Sequence, residues 1–240
     1  MESYSFDPIG IIHSCFPEKF GIPRQPGLAP AATARLELLP PYDRAEALEG
    51  IEAYSHLWIS FVFHGVKRDE WKPTVRPPRL GGNRRIGVFA TRSTHRPNPL
   101  GLSVVELLGI ETSDEGHPVL LLGGVDIMDG TPVLDIKPYL PYADIIPDAR
   151  AALAPDRPPV SEVVFEPNVK ALFDAKPELQ QHRVLICQVL EHDPRPAYHR
   201  DKETDRIYGI SLYNFDIRWQ VRGDTIHVLE ILDQGQEETR

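Results

Sequence analysis

VLLLGGVDIMDGTPVLDI, residues 119–136, is the stretch on which the reading of the fold turns. Val119 to Met128 reads as a strand, and Val133-Leu134-Asp135-Ile136 resumes extended structure after a break. Between them stands Asp129-Gly130, the strongest hairpin signal in the chain, because both central residues of a type I′ turn need positive φ. An antiparallel sheet is therefore expected here. Moving upstream, Arg85 to Thr91 and Leu102 to Ile110 read as strands joined by the turn Arg96-Pro97-Asn98-Pro99-Leu100-Gly101. His56 to Phe63 is a continuous apolar run of the kind covered on both faces, and Leu48 to Ser55 reads as a short helix before it. Asp7 to Ser14 and Ala31 to Leu39 complete the set. Six or seven strands joined mainly by turns favour a sandwich or a barrel. We read a closed barrel, since closure removes exposed edges.

Downstream the pattern changes. Pro141 to Pro159 is rich in proline, alanine and aspartate and marks a boundary, so a domain over 1–145 and a smaller one over 160–235 are expected. Pro167 to Ala175 and Pro177 to Leu190 read as helices with proline near each start, the second carrying Leu179, Ile186, Val189 and Leu190 on one stripe. Phe215 to Val221, the turn Arg222-Gly223-Asp224-Thr225 and Ile226 to Leu232 read as a terminal β-hairpin. The whole is mainly β, an N-terminal antiparallel barrel with a small C-terminal α+β domain.

Composition narrows the function classes. No run of about 18 apolar residues could span a bilayer, and Met-Glu-Ser-Tyr-Ser-Phe-Asp-Pro lacks the regions of a signal peptide, so a soluble, cytoplasmic protein is expected. Cys15 and Cys187 sit in or beside apolar runs and read as reduced packing residues. The nine histidines include no His-Glu-x-x-His or helical His-x-x-x-His pattern, so no metal is expected. No Gly-x-Gly-x-x-Gly opens a helix after a strand and no phosphate-binding P-loop is present.

The net charge of -9 argues at first sight against nucleic acid. It is unevenly spread: Lys67, Arg68, Lys72, Arg76, Arg79, Arg84, Arg85, Arg92 and Arg96 face only Asp69 and Glu70 within one segment, nine against two, a local +7. The proline-containing stretch Lys67 to Asn83, with Gly81-Gly82, is expected as a long loop of the kind that often carries function. Three polar clusters interrupt the β pattern: Pro23-Arg24-Gln25-Pro26-Gly27, Thr91 to Pro99, and Asp129 to Tyr139. If they gather at strand ends they form one site, because rigid sheets commonly present functional loops.

The same clusters carry a resemblance. Phe61-x-Phe-His64, Gly87-Val88-Phe89-Ala90-Thr91-Arg92-Ser93, His95-Arg96-Pro97-Asn98-Pro99, Gly101-Leu102-Ser103 and Asp129-Gly130-Thr131-Pro132-x-x-Asp135-Ile136-Lys137-Pro138-Tyr139 resemble the TrmO (TsaA-like, YaeB) family of tRNA (adenine-N6)-methyltransferases. The likeness covers about the first 140 residues. Asp193-Pro194-Arg195-Pro196-Ala197-Tyr198 with Tyr208-Gly209 is similar to the smaller C-terminal domain of bacterial members. Thr94 stands where such proteins commonly have proline.

The resemblance implies a single-sheeted barrel, a homodimer, S-adenosylmethionine as cofactor and the anticodon loop of tRNA as partner. It also implies methylation of the base nitrogen of threonylcarbamoyladenosine at position 37. Carried over by motif, cofactor contacts come from Pro23, Arg24, Gln25, His64, Gly65, Arg92, Leu102, Asp129, Gly130, Thr131 and Pro132. Such a transfer is an in-line displacement, for which positioning and water exclusion matter most. A base would still help remove the acceptor's proton. Asp129, Asp135, His64 and Tyr139 are the candidates. Arg84, Arg85 and Arg96 suit phosphates or the threonine carboxylate, and Tyr198 and Tyr208 suit stacking on anticodon-loop bases. Two other readings stay open at this level: a cofactor-sensing module without chemistry, and a metal-assisted hydrolase using His64, His95 and Asp129.

Overall fold

The computed structural model describes residues 2–66, 71–77, 84–151, 153–195, 199 and 205–236. Six strands close the barrel: β1 (Gly10–Ser14), β2 (Thr33–Leu38), β3 (His56–Val62), β6 (Leu100–Thr112), β7 (Pro118–Gly123) and β8 (Thr131–Pro138), in the ring order β1-β2-β7-β6-β3-β8. Two-residue strands β4 (Thr74–Val75) and β5 (Ile86–Gly87) pair beside it. Alternation sorts the faces. Ile12, Leu36, Leu57, Ile59, Leu120, Leu122 and Val133 are buried, while His13, Arg35, Glu37 and His56 between them face out.

Every neighbouring pair in the ring is antiparallel, so the strands alternate in direction around it. Three connections therefore emerge at the same end: residues 15–32, residues 63–99 and residues 124–130. These hold two of the three polar clusters whole and the beginning of the third. The 39–55 connection and the 113–117 turn emerge at the other end, together with the entry to β1 and the exit of β8.

Two expected strands are shorter than their apolar runs suggest. Arg85 to Thr91 gives only the pair Ile86–Gly87 before a 3-10 turn over Val88–Ala90: Val88 N still bonds Pro73 O at 2.9 Å, in register with β4, and the chain then turns so that Thr91 N bonds back to Val88 O at 3.1 Å. Val119 to Met128 stops as a strand at Gly123, followed by Gly124 at φ +64°.

The Asp129-Gly130 hairpin does not form either. Gly130 has φ +72° but Asp129 does not adopt positive φ, and β7 and β8 are not partners. In a ring of six these two strands stand opposite each other, so residues 124–130 must cross the barrel end. Gly27 N bonds Gly124 O at 2.9 Å, Asp129 N bonds Phe16 O at 2.9 Å and Gly130 N bonds Ile12 O at 2.8 Å, satisfying the crossing backbone from the 15–32 connection and β1. Val125 and Ile127 are buried beneath it.

The C-terminal part is a small α+β unit. After the single-turn α1 (Pro141–Asp144), strand β9 (Glu162–Phe165) leads into α2 (Pro167–Ala175), α3 (Pro177–Gln180) and α4 (Arg183–Glu191). Strands β10 (Tyr208–Leu212), β11 (Phe215–Arg222) and β12 (Thr225–Asp233) follow, and the sheet runs β10-β11-β12-β9 with β9 parallel to β12. The expected hairpin is β11 and β12. The helix expected over Pro177 to Leu190 is broken at Gln181-His182, where the His182 ring packs 4.5 Å from that of Tyr213, and Leu179, Ile186, Val189 and Leu190 are all buried.

Buried side chains of barrel and C-terminal sheet form one continuous cluster. Polar links join them as well: Tyr213 N to Cys15 O at 2.9 Å, Ala31 N to Gln188 Oε1 at 2.8 Å, and Ser211 N to Glu18 Oε1 at 3.0 Å. His192 Nε2 stands 3.0 Å from Leu28 O. The C-terminal unit thus grips the 15–32 connection, which carries Pro23-Arg24-Gln25. Both cysteines are free thiols, and burial pushes that of Cys15 up to about 12, consistent with a packing role.

Candidate functional site

A cavity of about 590 Å³ opens at the barrel end where the three connections meet. That lies within the range of about 300–1,000 Å³ usual for small-molecule sites. The 15–32 connection contributes Lys19, Pro23, Arg24 and Gln25, the end of β3 and its exit contribute Phe61, Phe63, His64 and Gly65, and the loop before β6 contributes Thr91, Arg92, Thr94 and Arg96. The opening of β6 adds Leu100 to Ser103, and the crossing segment adds Asp126, Ile127 and Met128 ahead of Thr131.

Eight of the residues expected to contact a cofactor line this space: Pro23, Arg24, Gln25, His64, Gly65, Arg92, Leu102 and Thr131. Arg92 donates to Gln25 Oε1, while Gln25 Nε2 donates to Arg24 O, so two polar clusters far apart in sequence are tied together. His64 Nδ1 stands 3.3 Å from Thr131 Oγ1, which itself donates to Met128 O at 2.6 Å. With its proton committed to Met128, the Thr131 oxygen acts as acceptor, so Nδ1 of His64 carries the hydrogen and Nε2 is the open acceptor.

Asp129, Gly130 and Pro132 stand outside the lining. Asp129 Oδ1 accepts Ser14 N at 2.9 Å and lies 3.9 Å from His13 Nδ1, so its carboxylate secures the end of β1. Gly130 adjoins the site through His64, whose Nε2 would lie 3.9 Å from a Cβ at 130.

Two other candidates for a base are also placed elsewhere. Asp135, opposite Ser60 on the outer face of the barrel, is ion-paired with Lys137. Tyr139 follows β8, bonds through N to His56 O at 3.0 Å and is not itself in the cavity lining, although its ring lies 6.0 Å from that of Trp58, which is. Of the four, His64 alone reaches the cavity.

Among the groups expected to meet RNA, Arg84 and Arg85 are exposed just before β5. Arg96 is half-buried and donates to Thr91 O at 2.7 Å, so it fastens its own loop and lines the cavity. Tyr208 is 8% exposed and stacks on Trp219 at 5.0 Å, which removes one ring face from any base. Tyr198 lies outside the described residues, as do Lys67, Arg68 and Arg79 of the basic zone.

The largest omission of the sequence reading is Asp126, the only carboxylate among the described lining residues. Ser103 Oγ donates to its Oδ1 at 2.5 Å. Burial at the cavity wall pushes the Asp126 carboxyl from 3.8 up to about 6, while the Ser103 hydrogen bond and, more weakly, the charge of Arg92 oppose the rise. The signal was Gly123-Gly124, a pair that punctuates a strand and should have ended it before Asp126. Among the described residues no group of three or more His, Cys, Asp or Glu could hold a metal ion.

An antiparallel barrel with three connections around one mouth, which holds cations, apolar walls and, among the described lining residues, a single carboxylate, has the form of the β-barrels that take a small ligand at the open end. A family model described as the tRNA-methyltransferase O N-terminal domain matches residues 11–145, and one described as the TrmO C-terminal domain matches residues 158–234. The chain belongs to the TrmO family. It is 50% identical over 223 residues to the tRNA (adenine(37)-N6)-methyltransferase of Escherichia coli (strain K12), spanning 92% of this chain and 94% of that one. A Pseudomonas aeruginosa protein named putative S-adenosylmethionine-dependent methyltransferase RcsF is 51% identical over 232 residues, 95% of this chain and 98% of its own. The crystal structure of TrmO from Pseudomonas aeruginosa superposes with a TM-score of 0.78 at 45% identity, covering 96% of this chain and 99% of that one.

Proposed function

We propose that this chain is an S-adenosylmethionine-dependent methyltransferase that methylates N6 of threonylcarbamoyladenosine at position 37 of tRNA. The observation that carries the reading is the convergence of Arg24, Gln25, His64, Arg92, Leu102 and Thr131 on one cavity of nucleoside size. The relatives named for this reaction and this cofactor match over almost the whole chain.

The lining fits such a cofactor by its chemistry. Lys19, Arg24 and Arg92 suit the carboxylate of an amino-acid moiety, and Phe61, Phe63 and Leu102 suit an adenosine. Bound there, S-adenosylmethionine supplies an activated methyl group. The protein's tasks are to hold the acceptor nitrogen in line with that group and to keep water out.

The anticodon loop of tRNA is the partner in this reading. Arg84 and Arg85 are the residues that meet phosphates or the threonine carboxylate in this reading, which their exposure on the stretch leading into Thr91 and Arg92 supports. Residues 1–145 form the catalytic unit and 160–235 a smaller unit that adds tRNA contacts. The protein works as a cytoplasmic homodimer, an assembly for which exposed Leu100 and Leu102 on β6 offer apolar surface beside the cavity.

The test is to incubate the protein with labelled S-adenosylmethionine and tRNA that carries or lacks the threonylcarbamoyl group, and to map the label by nucleoside mass spectrometry. Label on the modified adenosine alone is the expected result. Cofactor binding without transfer to either tRNA would overturn the assignment.

A further inference from the structure

We propose that Asp126 is the base that takes the proton from the acceptor nitrogen, with Ser103 as its positioning residue. The inference rests on the methyltransferase reading above and assigns a residue that its motifs do not single out.

The argument begins with the barrel. Because β7 and β8 stand on opposite walls, the 124–130 segment crosses the mouth, and buried Val125 and Ile127 on either side of Asp126 fasten it to the core. A half-buried carboxylate on the cavity wall, fixed between two buried neighbours, meets what the cavity holds. Its rotamer is set from the wall, since Ser103 is 2% exposed and donates to Oδ1 at 2.5 Å.

The second step is electrostatic. The charged and titratable groups facing Asp126 around the cavity are Lys19 and Arg24 from the 15–32 connection, His64 from the exit of β3, and Arg92 and Arg96 from the loop before β6. Among them the charge of Arg92 opposes the rise of the Asp126 carboxyl, and Arg92 is held by Gln25. The Arg92–Gln25 and Ser103–Asp126 hydrogen bonds thus bring side chains of all three mouth connections and of the barrel wall to the same cavity. Burial places the Asp126 carboxyl near 6, high enough to accept a proton usefully and low enough to be ionised at neutral pH. His64 also lines the cavity, and its ring is tied through Nδ1 to Thr131 Oγ1 at 3.3 Å.

In the step itself the N6 proton passes to an Asp126 carboxylate oxygen as the nitrogen lone pair forms the new N–C bond. The C–S bond breaks and its electron pair remains on sulfur. The cationic donor becomes a neutral thioether, the carboxylate a neutral acid, and the proton leaves to water through the cavity opening, so charge and atoms balance.

The experiment compares the wild-type protein with Asp126→Asn and Ser103→Ala on threonylcarbamoylated tRNA. It measures S-adenosylmethionine affinity by calorimetry, single-turnover transfer from pH 5 to 9, and the Asp126 carboxyl titration by NMR. Expected are cofactor affinity within about threefold of wild type for Asp126→Asn, transfer slowed by about 10²–10⁴-fold, and loss of the activity limb near pH 6. In Ser103→Ala the limb and the NMR titration both move to higher pH, because a hydrogen bond to the ionised form is gone. A merely structural role for Ser103 would move neither. Transfer by Asp126→Asn at the wild-type rate with the limb intact would overturn the proposal. So would a loss of cofactor affinity large enough to account for the whole defect, which would make Asp126 an anchor for the cofactor's cation. Absence of transfer by the wild-type protein itself would instead remove the function on which the inference rests.

Discussion

Arg92 donates from Nη1 to the side-chain oxygen of Gln25, joining the loop before β6 to the connection between β1 and β2. Both residues are on the cavity wall and the bond lies at its exposed rim. Arg92→Ala is expected to weaken S-adenosylmethionine binding by about tenfold or more, the scale of one lost charge-assisted contact. Thermal stability should hardly change, because an exposed contact contributes little to folding. Calorimetry and a melting curve on the same sample check both halves, and Arg92→Lys should not restore affinity if the planar fork is what counts.

Asp126 gives a stability prediction with a definite sign. Its folded pKa of about 6 exceeds the ordinary 3.8, so between these values the folded protein holds the proton more tightly than the unfolded chain. Stability from this group is lost as pH rises through that window, and the loss is complete above about 6. Asp126→Asn should therefore be more stable than wild type at pH 7.5, by on the order of 1–3 kcal/mol. The advantage should shrink towards zero at pH 4. Denaturant titrations at the two pH values measure it.

Gly101 leaves no room for a side chain, because a Cβ there would overlap the Phe61 ring on the paired strand. Phe61 is buried and lies against the cavity, so Gly101→Ala must push the ring from its place. A cost of about 1–3 kcal/mol is expected, the usual penalty of overpacking. Combining it with Phe61→Leu should recover part of the loss, and the denaturation midpoints of the two variants decide.

Gln188 of α4 holds the backbone of Ala31 at 2.8 Å and so fastens the connection that bears Arg24 and Gln25. Gln188→Ala is expected to cost about 1 kcal/mol. It should also speed amide hydrogen exchange at Ala31 and its neighbours while leaving the barrel strands protected, a pattern read by exchange mass spectrometry.

On β2 the alternation was legible, since Ala34, Leu36 and Leu38 point inward; β3 read as covered on both faces, yet only Leu57, Ile59 and Phe61 are buried while Trp58, Ser60 and Val62 are half-buried on the outer face. The gathering of the polar clusters was also open to sequence reasoning, since antiparallel strands return successive connections to alternate ends. What resisted was ring order. Asp129-Gly130 carries the composition of a hairpin, yet Asp129 caps β1 and Gly130 N bonds across to Ile12, because tertiary pairing outweighs turn propensity. Reading residues 119–128 as one strand hid Asp126 among apolar neighbours. Tyr208 looked like a stacking platform because aromatic residues serve both cores and surfaces, and only its contact with Trp219 tells which.

The opposite end of the barrel tells the experimenter where to work without disturbing the chemistry. Asp114, Glu115 and Gly116 stand exposed in the short turn joining β6 to β7, with Gly116 at φ +88°. A fluorophore or affinity handle spliced into this turn would ride on the rim opposite the cavity mouth. The protein could then be immobilised or imaged by a part of its chain that lies across the barrel from the cavity.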